Sequence, residues 1–266
     1  MTYIRLDFAD LATAAVLVLL DGGLSLAFGL GIGRRMLVAA SRMVVQLLLV
    51  GLVLEALFRA VSPVATAAVA LVMVLFAGRE AVARQDRRLA GWWSYGLGTG
   101  AMLMAAGLVT VFALTTQLRP DPWYDPRYAI PLLGMVLGNT MTGISLGLNA
   151  LTGDVAQARP AIEARLALGA DRIQAMRPLA RKSLRAALLP IVNSMAATGL
   201  VSLPGMMTGQ ILGGVAPVEA VKYQLLIMFL IAGGTGFGAV AAVLGGAWRL
   251  TDRRHRLRPD RLAPGR

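Results

Sequence analysis

Long apolar runs alternate along the chain with short breaks that carry arginine, a pattern that predicts membrane-crossing helices. A helix needs roughly 20 apolar residues to cross the hydrocarbon core. Seven runs reach that scale: residues 6–32, 37–58, 60–77, 94–118, 130–151, 191–212 and 221–250. The expected architecture is an all-α, polytopic membrane bundle of about seven transmembrane helices over residues 1–250. A short basic cytoplasmic tail follows at 251–266, and its run of arginines predicts disorder and contact with anionic headgroups.

Between the fifth and sixth runs, residues 154–189 are amphipathic and rich in arginine. Ile162, Leu166, Gly169, Ile173 and Met176 recur at spacings of four and three, which places them on one helical face. Glu163, Arg165, Arg172 and Arg177 fall elsewhere around the helix. Gly169 permits a sharp turn, Asp171 is positioned to cap the next turn, and Pro178 is expected to end that piece. The expected shape is two short helices meeting at an angle and offering a surface to a partner; the alternative is a helix resting on anionic lipid.

Composition agrees with a membrane protein: 57% of residues are hydrophobic, 15% are charged, and mean hydropathy is +0.67. The net charge of +12 resides in the breaks, so topology accounts for it and nucleic acid is not the expected partner. Short loops rich in basic residues stay in the cytoplasm. With the N-terminus outside and the C-terminus inside, 21 of the 26 basic residues lie inside and only Arg5, Arg59, Arg119, Arg127 and Lys222 lie outside. The first run has no basic stretch before it and no small-residue cleavage site after it, so it is expected to remain as a helix. Residues 119–128 carry three prolines and aromatic side chains, which suit an external turn at the interface.

Several chemistries drop out. With no cysteine there is no disulfide or thiolate site. The only lysines are Lys182 and Lys222, and no phosphate-binding glycine loop occurs, so this chain holds no nucleotide of its own. The lone histidine, His255, sits in the basic tail and is expected to be solvated. No hydrolase or metalloprotease motif is present, and the chain is not expected to be an enzyme.

Polar positions inside the apolar runs supply the candidate route. Asn139, Thr140 and Thr142, with Ser145 and Asn149, form a strip expected to point inward, either bonding between helices or lining a cation path. Pro204 removes a backbone hydrogen bond in mid-run, and Gly205 and Gly209 loosen the next two turns. Carbonyls of residues 199–203 would then face a cavity, with oxygen from Ser202, Thr208 and Gln210 and thioethers from Met206 and Met207; the alternative is a kink that serves packing. No metal ligand set is assigned. Glycines four apart (Gly134 and Gly138, Gly143 and Gly147, Gly205, Gly209 and Gly213, Gly234 and Gly238) suit close helix packing, rocking between helices, or contact with a second copy. Asp21 is expected to pair with Arg42, and Glu55 needs a cation or a proton.

Glu163-Ala164, with Gly169 six residues after the glutamate, resembles the start of the EAA loop of ABC transporter permeases. Leu189-Pro190 falls later after the glycine than that family's Leu-Pro, so the match covers the beginning of the loop. The string from Ser202 to Gly214, preceded by Asn193-Ser194-Met195 and followed by Pro217, Glu219, Tyr223 and Gln224, resembles the FetB-type permeases. These are bacterial inner-membrane proteins implicated in iron export, with plant relatives linked to aluminium tolerance.

The resemblance implies a multi-pass inner-membrane permease that exports a small cation such as iron. ATP and Mg would be bound by a separate cytoplasmic ABC ATPase. Ile162, Glu163, Ala164, Arg165, Leu166, Gly169, Asp171, Arg172 and Ile173 would form the coupling element, and two ATPases would call for a homodimer. A gradient-driven transporter using Asp21 or Glu55 is the rival reading; a membrane-embedded enzyme acting on lipid is the weaker one.

Overall fold

Acidic, hydroxyl and proline residues mark where the helices begin. Asp7 and Asp10 close a capping box at α1 (Phe8–Ala27), Ser62 caps α3 (Pro63–Ala83), Asp125 caps α5 (Pro126–Gln157), and Asp171 closes a capping box with Gln174 at α7 (Arg172–Ala197). The remaining helices are α2 (Gly33–Ala60), α4 (Trp93–Phe112, continued by a π-helical Ala113–Leu118), α6 (Arg159–Ala167), α8 (Gly205–Leu212) and α9 (Pro217–Arg249). The computed structural model describes residues 7–265, and among them only isolated bridge pairs occur outside helices. Among the described residues six helices are long and apolar enough to cross a membrane: α1, α2, α3, α4 with its extension, α5 and α9. The chain is a polytopic helical membrane protein.

The chain divides into two units, Met1–Val61 and Ser62–Arg266. In the first, α1 and α2 form a hairpin. Gly29 and Gly31 take positive φ at its turn, and the Ser25 hydroxyl accepts the Ile32 N–H at 3.2 Å. Glu55 pairs with Arg59 one turn on, which supplies the cation its carboxylate needs. Asp21 and Arg42 lie on the two arms of this hairpin.

The second unit is built around α5, which packs against α3, α4, α7 and α9. One cluster of buried side chains fills the middle of the bundle, with Met102, Val136 and Ile144 at its heart. A second lies toward the arginine-rich end and joins Leu151, Val155, Ile162, Met176, Val243 and Leu250. Glycine governs the α5–α9 seam. A Cβ added at Gly238 would lie 2.5 Å from Thr140 Cγ2, one at Gly234 2.6 Å from Val136 Cγ1, and one at Gly143 2.8 Å from Thr235 Cγ2. These pairs bring backbones together, the packing role open to them in lipid.

The region from 154 onward departs from expectation. Pro178 does not end a helix: α7 runs through both Pro178 and Pro190, each of which removes one backbone hydrogen bond on the exposed side of the helix. The helix stops at Ala197 because Thr198 is extended and Gly199 has φ +98°. The expected sixth run, 191–212, is therefore two pieces, the end of α7 and the separate α8. With 26 residues α7 is long enough to cross, but the stretch 172–185 carries Arg172, Arg177, Arg181, Lys182 and Arg185 and it is not among the six apolar helices.

The tail is also ordered from Thr251 to Gly265. Leu257 and Leu262 interrupt the basic run and anchor it to the second cluster, while Ala90 N–H donates to the Arg261 carbonyl at 2.7 Å and Ala263 N–H to the Arg88 carbonyl at 2.8 Å.

Candidate coupling elbow and translocation segment

At 1.5 Å per residue, the 32 residues of α5 and 33 of α9 span about 48 and 50 Å, well beyond a hydrocarbon core of about 30 Å. That excess lets the end of α5 at Asp154 and the end of α9 at Arg249 project past the apolar zone, beside the interfacial residues Trp93 and Trp248. The elbow is built on that projection. Lys182 Nζ donates to Asp154 Oδ1 at 2.8 Å, linking α7 to α5, and Thr152 Oγ1 donates to the Arg87 carbonyl at 3.0 Å.

From there α6 turns away. Its last turn closes by Gly169 N–H to the Leu166 carbonyl (3.1 Å) and Ala170 N–H to the Arg165 carbonyl (3.0 Å), with Gly169 at φ +92°. This is the glycine-terminated helix end in which a side chain at that position would be strained. Asp171 Oδ1 then accepts the N–H groups of Ile173 and Gln174 at 2.7 and 2.8 Å, starting α7. Local sequence alone therefore dictates the sharp change of direction.

The expected single apolar face is divided by this turn. Ile162 and Met176 are buried and hold the elbow against α5 and α9, and Leu166 is half-buried against them. Ile173, by contrast, is 70% exposed. Glu163 pairs with Arg159 at 2.8 Å on the outer side, Arg165 Nη1 reaches the Ala175 carbonyl, and Ala164 is exposed. Asp171 and Arg172 are half-buried at the bend. The sequence reading missed Leu168, which is 88% exposed at the tip of the elbow; its position directly before a helix-ending glycine was the available signal. It also missed His255, whose Nδ1 accepts the Arg172 N–H at 3.0 Å and ties the tail to the first residue of α7.

The candidate path residues fall into two groups that no hydrogen bond joins among the described residues. On α5 the strip wraps around the helix. Thr140 is wholly buried with its hydroxyl lacking a partner, Asn139 is exposed and donates to the Met135 carbonyl, and Thr142 donates to the Gly138 carbonyl. Ser145 is buried and bonds to the Met141 carbonyl, and Asn149 donates to Asp86. Adjacent residues differ by about 100° around a helix, so Asn139 and Thr140 cannot share a face.

In the second group Pro204 is not a mid-helix kink. It is the N-cap of α8, and the preceding loop satisfies itself: Val201 and Ser202 N–H donate to the Ala197 carbonyl, and Gly199 N–H to the Ser202 carbonyl. Ser202 is exposed, Met206 packs on the central cluster, Met207 is half-buried, and Thr208 bonds back to the Pro204 carbonyl. Gln210 Oε1 is buried and has no partner. Gly205 and Gly209 face open space. Among the described residues no three His, Cys, Asp or Glu side chains gather as a metal site. Unpartnered buried oxygens also occur on Thr110, Thr235 and Gln224, none of them anticipated from sequence.

Residues 8–250 match the model of an uncharacterised protein family, UPF0014. The UPF0014 membrane protein slr1647 of Synechocystis is 39% identical over 233 residues, 86% of this chain and 87% of that protein. The Arabidopsis thaliana protein ALUMINUM SENSITIVE 3 is 33% identical over 231 residues, covering 87% and 82% of the two chains. The probable iron export permease protein FetB of Escherichia coli is 32% identical over 256 residues, 93% of each chain. No solved structure matches the chain.

Proposed function

The chain belongs to the UPF0014 family of membrane proteins, and from that premise we propose that it is the permease subunit of an ABC exporter for a small metal cation such as iron. A separate cytoplasmic ATPase binds ATP and Mg and engages the elbow from Ile162 to Ile173. The arginine-rich end faces the cytoplasm of a bacterial inner membrane, with the N-terminus outside and α7 making the seventh crossing that this orientation requires. Two copies form the membrane half of the transporter, one for each ATPase.

The observation that carries this reading is the elbow itself. It is fixed at its root by Ile162, Met176 and the Asp154–Lys182 pair and bare at its tip, where Leu168 is 88% exposed. A rigid root passes displacement into α5, α7 and α9, and a bare apolar tip is what a groove on a partner would grip. Such a lever biases a bundle between two packings, and ATP binding elsewhere selects between them. The name of the FetB relative supports iron as cargo and export as direction. On the cargo side, Ser202, Thr208 and Gln210 offer oxygen and Met206 and Met207 sulfur beside the broken α7–α8 segment, with the buried Thr140 hydroxyl uncovered when α5 and α9 move apart.

Co-purification with the ATPase tests the coupling. Leu168→Asp is expected to abolish association while leaving the melting temperature within about 2 °C, because an exposed substitution costs little stability. Undiminished association of this variant would overturn the elbow as the docking point. In proteoliposomes holding both subunits, iron is expected to raise ATP turnover, and Gly169→Val is expected to leave basal turnover intact while losing that stimulation.

A further inference from the structure

Beside the elbow, on the flank where α7 and α9 meet, the surface opens into a groove of about 470 Å³. Its floor is apolar: Met176 and Leu184 from α7, Leu244, Ala247 and Trp248 from α9. Leu244 belongs to the apolar part of α9, so the groove reaches the depth of acyl chains. Its other end merges into a polar pocket of about 300 Å³, the two cavities sharing Arg172, Trp248 and Thr251. Around that pocket stand Arg172, Arg249, Arg253 and Arg261, with one acid, Asp252.

The charges there do not balance. Asp252 is already committed, accepting the N–H groups of Arg254 and Arg256 at 2.9 Å and the Arg256 guanidinium at 3.1 Å. Arg261 donates to the carbonyls of Arg249 and Thr251, and the one further acid nearby, Asp260, is already held in a two-point pair by Arg258 at 2.9 Å, so it offsets the charge of Arg249 and Arg261 only in part. Arg249 lies over the Trp93 ring at 4.3 Å, and its Nε is buried with no acceptor. A buried unpaired donor in a cluster of like charges is costly unless an anion enters.

We propose that this composite groove binds one anionic phospholipid of the phosphatidylglycerol type, its phosphate among the arginines and an acyl chain along Leu184, Leu244 and Trp248. A free phosphate would satisfy the arginines and leave the apolar floor bare; a zwitterionic lipid would cover the floor and bring no net charge. Arg177 and Arg181, on the α7 rim of the same groove, lay their stems along the chain and direct their heads toward the phosphate. The bound lipid bridges α7, α9 and the tail at the root of the elbow, which makes it an integral part of that root. The site stands apart from the transport reading, because it is read by lipid binding to the chain alone.

Tryptophan quenching tests it in full-length protein reconstituted into phosphatidylcholine vesicles. A small mole fraction of bromine-labelled phosphatidylglycerol is compared with the same fraction of bromine-labelled phosphatidylcholine, and the expected result is about tenfold stronger apparent binding of the former. Arg249→Gln with Arg253→Gln is expected to abolish the preference. Arg253→Gln alone, at an exposed position, is expected to reduce it about threefold and guards against misfolding of the double variant. Equal quenching by the two lipids in the wild type overturns the proposal, as does an undiminished preference in the double variant. Loss of the preference when inorganic phosphate replaces chloride at equal ionic strength assigns the arginines to a free anion and likewise overturns it. A preference absent from the chain alone, with Arg177 and Arg181 shielded only after the ATPase is added, would give the groove to a protein and overturn it as well.

Discussion

The same glycine spacing has two different fates in this molecule. In the α5–α9 seam, Gly143, Gly147, Gly234 and Gly238 face side chains of the opposing helix so closely that a methyl group has no place. In α8, Gly205 and Gly209 face nothing. Four-residue spacing puts small residues on one stripe; whether the stripe is a joint depends on what stands opposite. The seam is where the bundle is held, and α8, beside the self-closed loop 197–202, leaves its small residues facing open space.

The largest effect should come from filling the seam. Gly238→Val would drive carbon into Thr140 Cγ2, Ile144 and Ala105, all packed. Overpacking of this kind costs about 3 kcal/mol. Thermal unfolding in detergent is expected to show a drop of roughly 5–10 °C on the scale of helical domains, or loss of folded protein outright; a wild-type melt would mean that the seam opens easily and that the contrast with α8 is false.

The elbow offers the same contrast in side chains. Ile162 is fully buried and Ile173 is mostly exposed, although both fall on one stripe of the sequence. Ile162→Ala is expected to cost about 2–4 kcal/mol, in the range for emptying a core position, and Ile173→Ala less than about 0.5 kcal/mol. Equal melting temperatures for the two would remove the distinction between a fixed root and a bare tip.

Those two isoleucines also show what the sequence made legible. Six of the seven apolar runs become long helices, while 191–212 does not, and the turn at Gly169 and the cap at Asp171 follow from local chemistry. Periodicity fails for Ile173, because Gly169 at φ +92° resets the helical phase, while Met176 one turn further on still meets Ile162 and Leu166. Pro178 and Pro190 mislead for a different reason: each removes one backbone hydrogen bond from α7, and on its exposed side the helix continues through that loss. The arginines of the tail predict disorder, while its order comes from Leu257, Leu262 and backbone bonds to residues 88–90, contacts that no local pattern announces. Thr140 shows the limit at the candidate path. Its type and depth were visible, but its enclosure by Gly234 and Gly238 depends on α9, far along the chain.

The tail provides a smaller effect, sensitive to pH. The Arg256 N–H, helped by the Arg254 N–H and the Arg256 guanidinium, holds the Asp252 carboxyl below the usual carboxylate range. A group whose folded value is depressed stabilises the fold above its unfolded value and loses that contribution as pH falls through the folded one. Protection of the Arg254 and Arg256 amides against hydrogen exchange is therefore expected to be constant at neutral pH and to decline below about pH 4. Asp252→Asn should weaken that protection at neutral pH as well. Unchanged exchange in both cases would detach tail order from this carboxylate.

Gly209→Ala should have the smallest effect and is the most discriminating. A methyl group there meets nothing within 4 Å, and alanine is the better helix former by up to about 1 kcal/mol. In the isolated chain the substitution is expected to be neutral or to raise the melting temperature slightly, the opposite sign to any change in the seam. If α8 moves against another surface during transport, the same methyl that stabilises the resting chain will lower cargo-stimulated ATP turnover, since close approach of helices in lipid tolerates only the smallest residues. A variant that melts higher and transports as well as the wild type would show that the stripe of α8 never closes on anything. The difference between the two glycine pairs would then be one of position alone, with no part in motion.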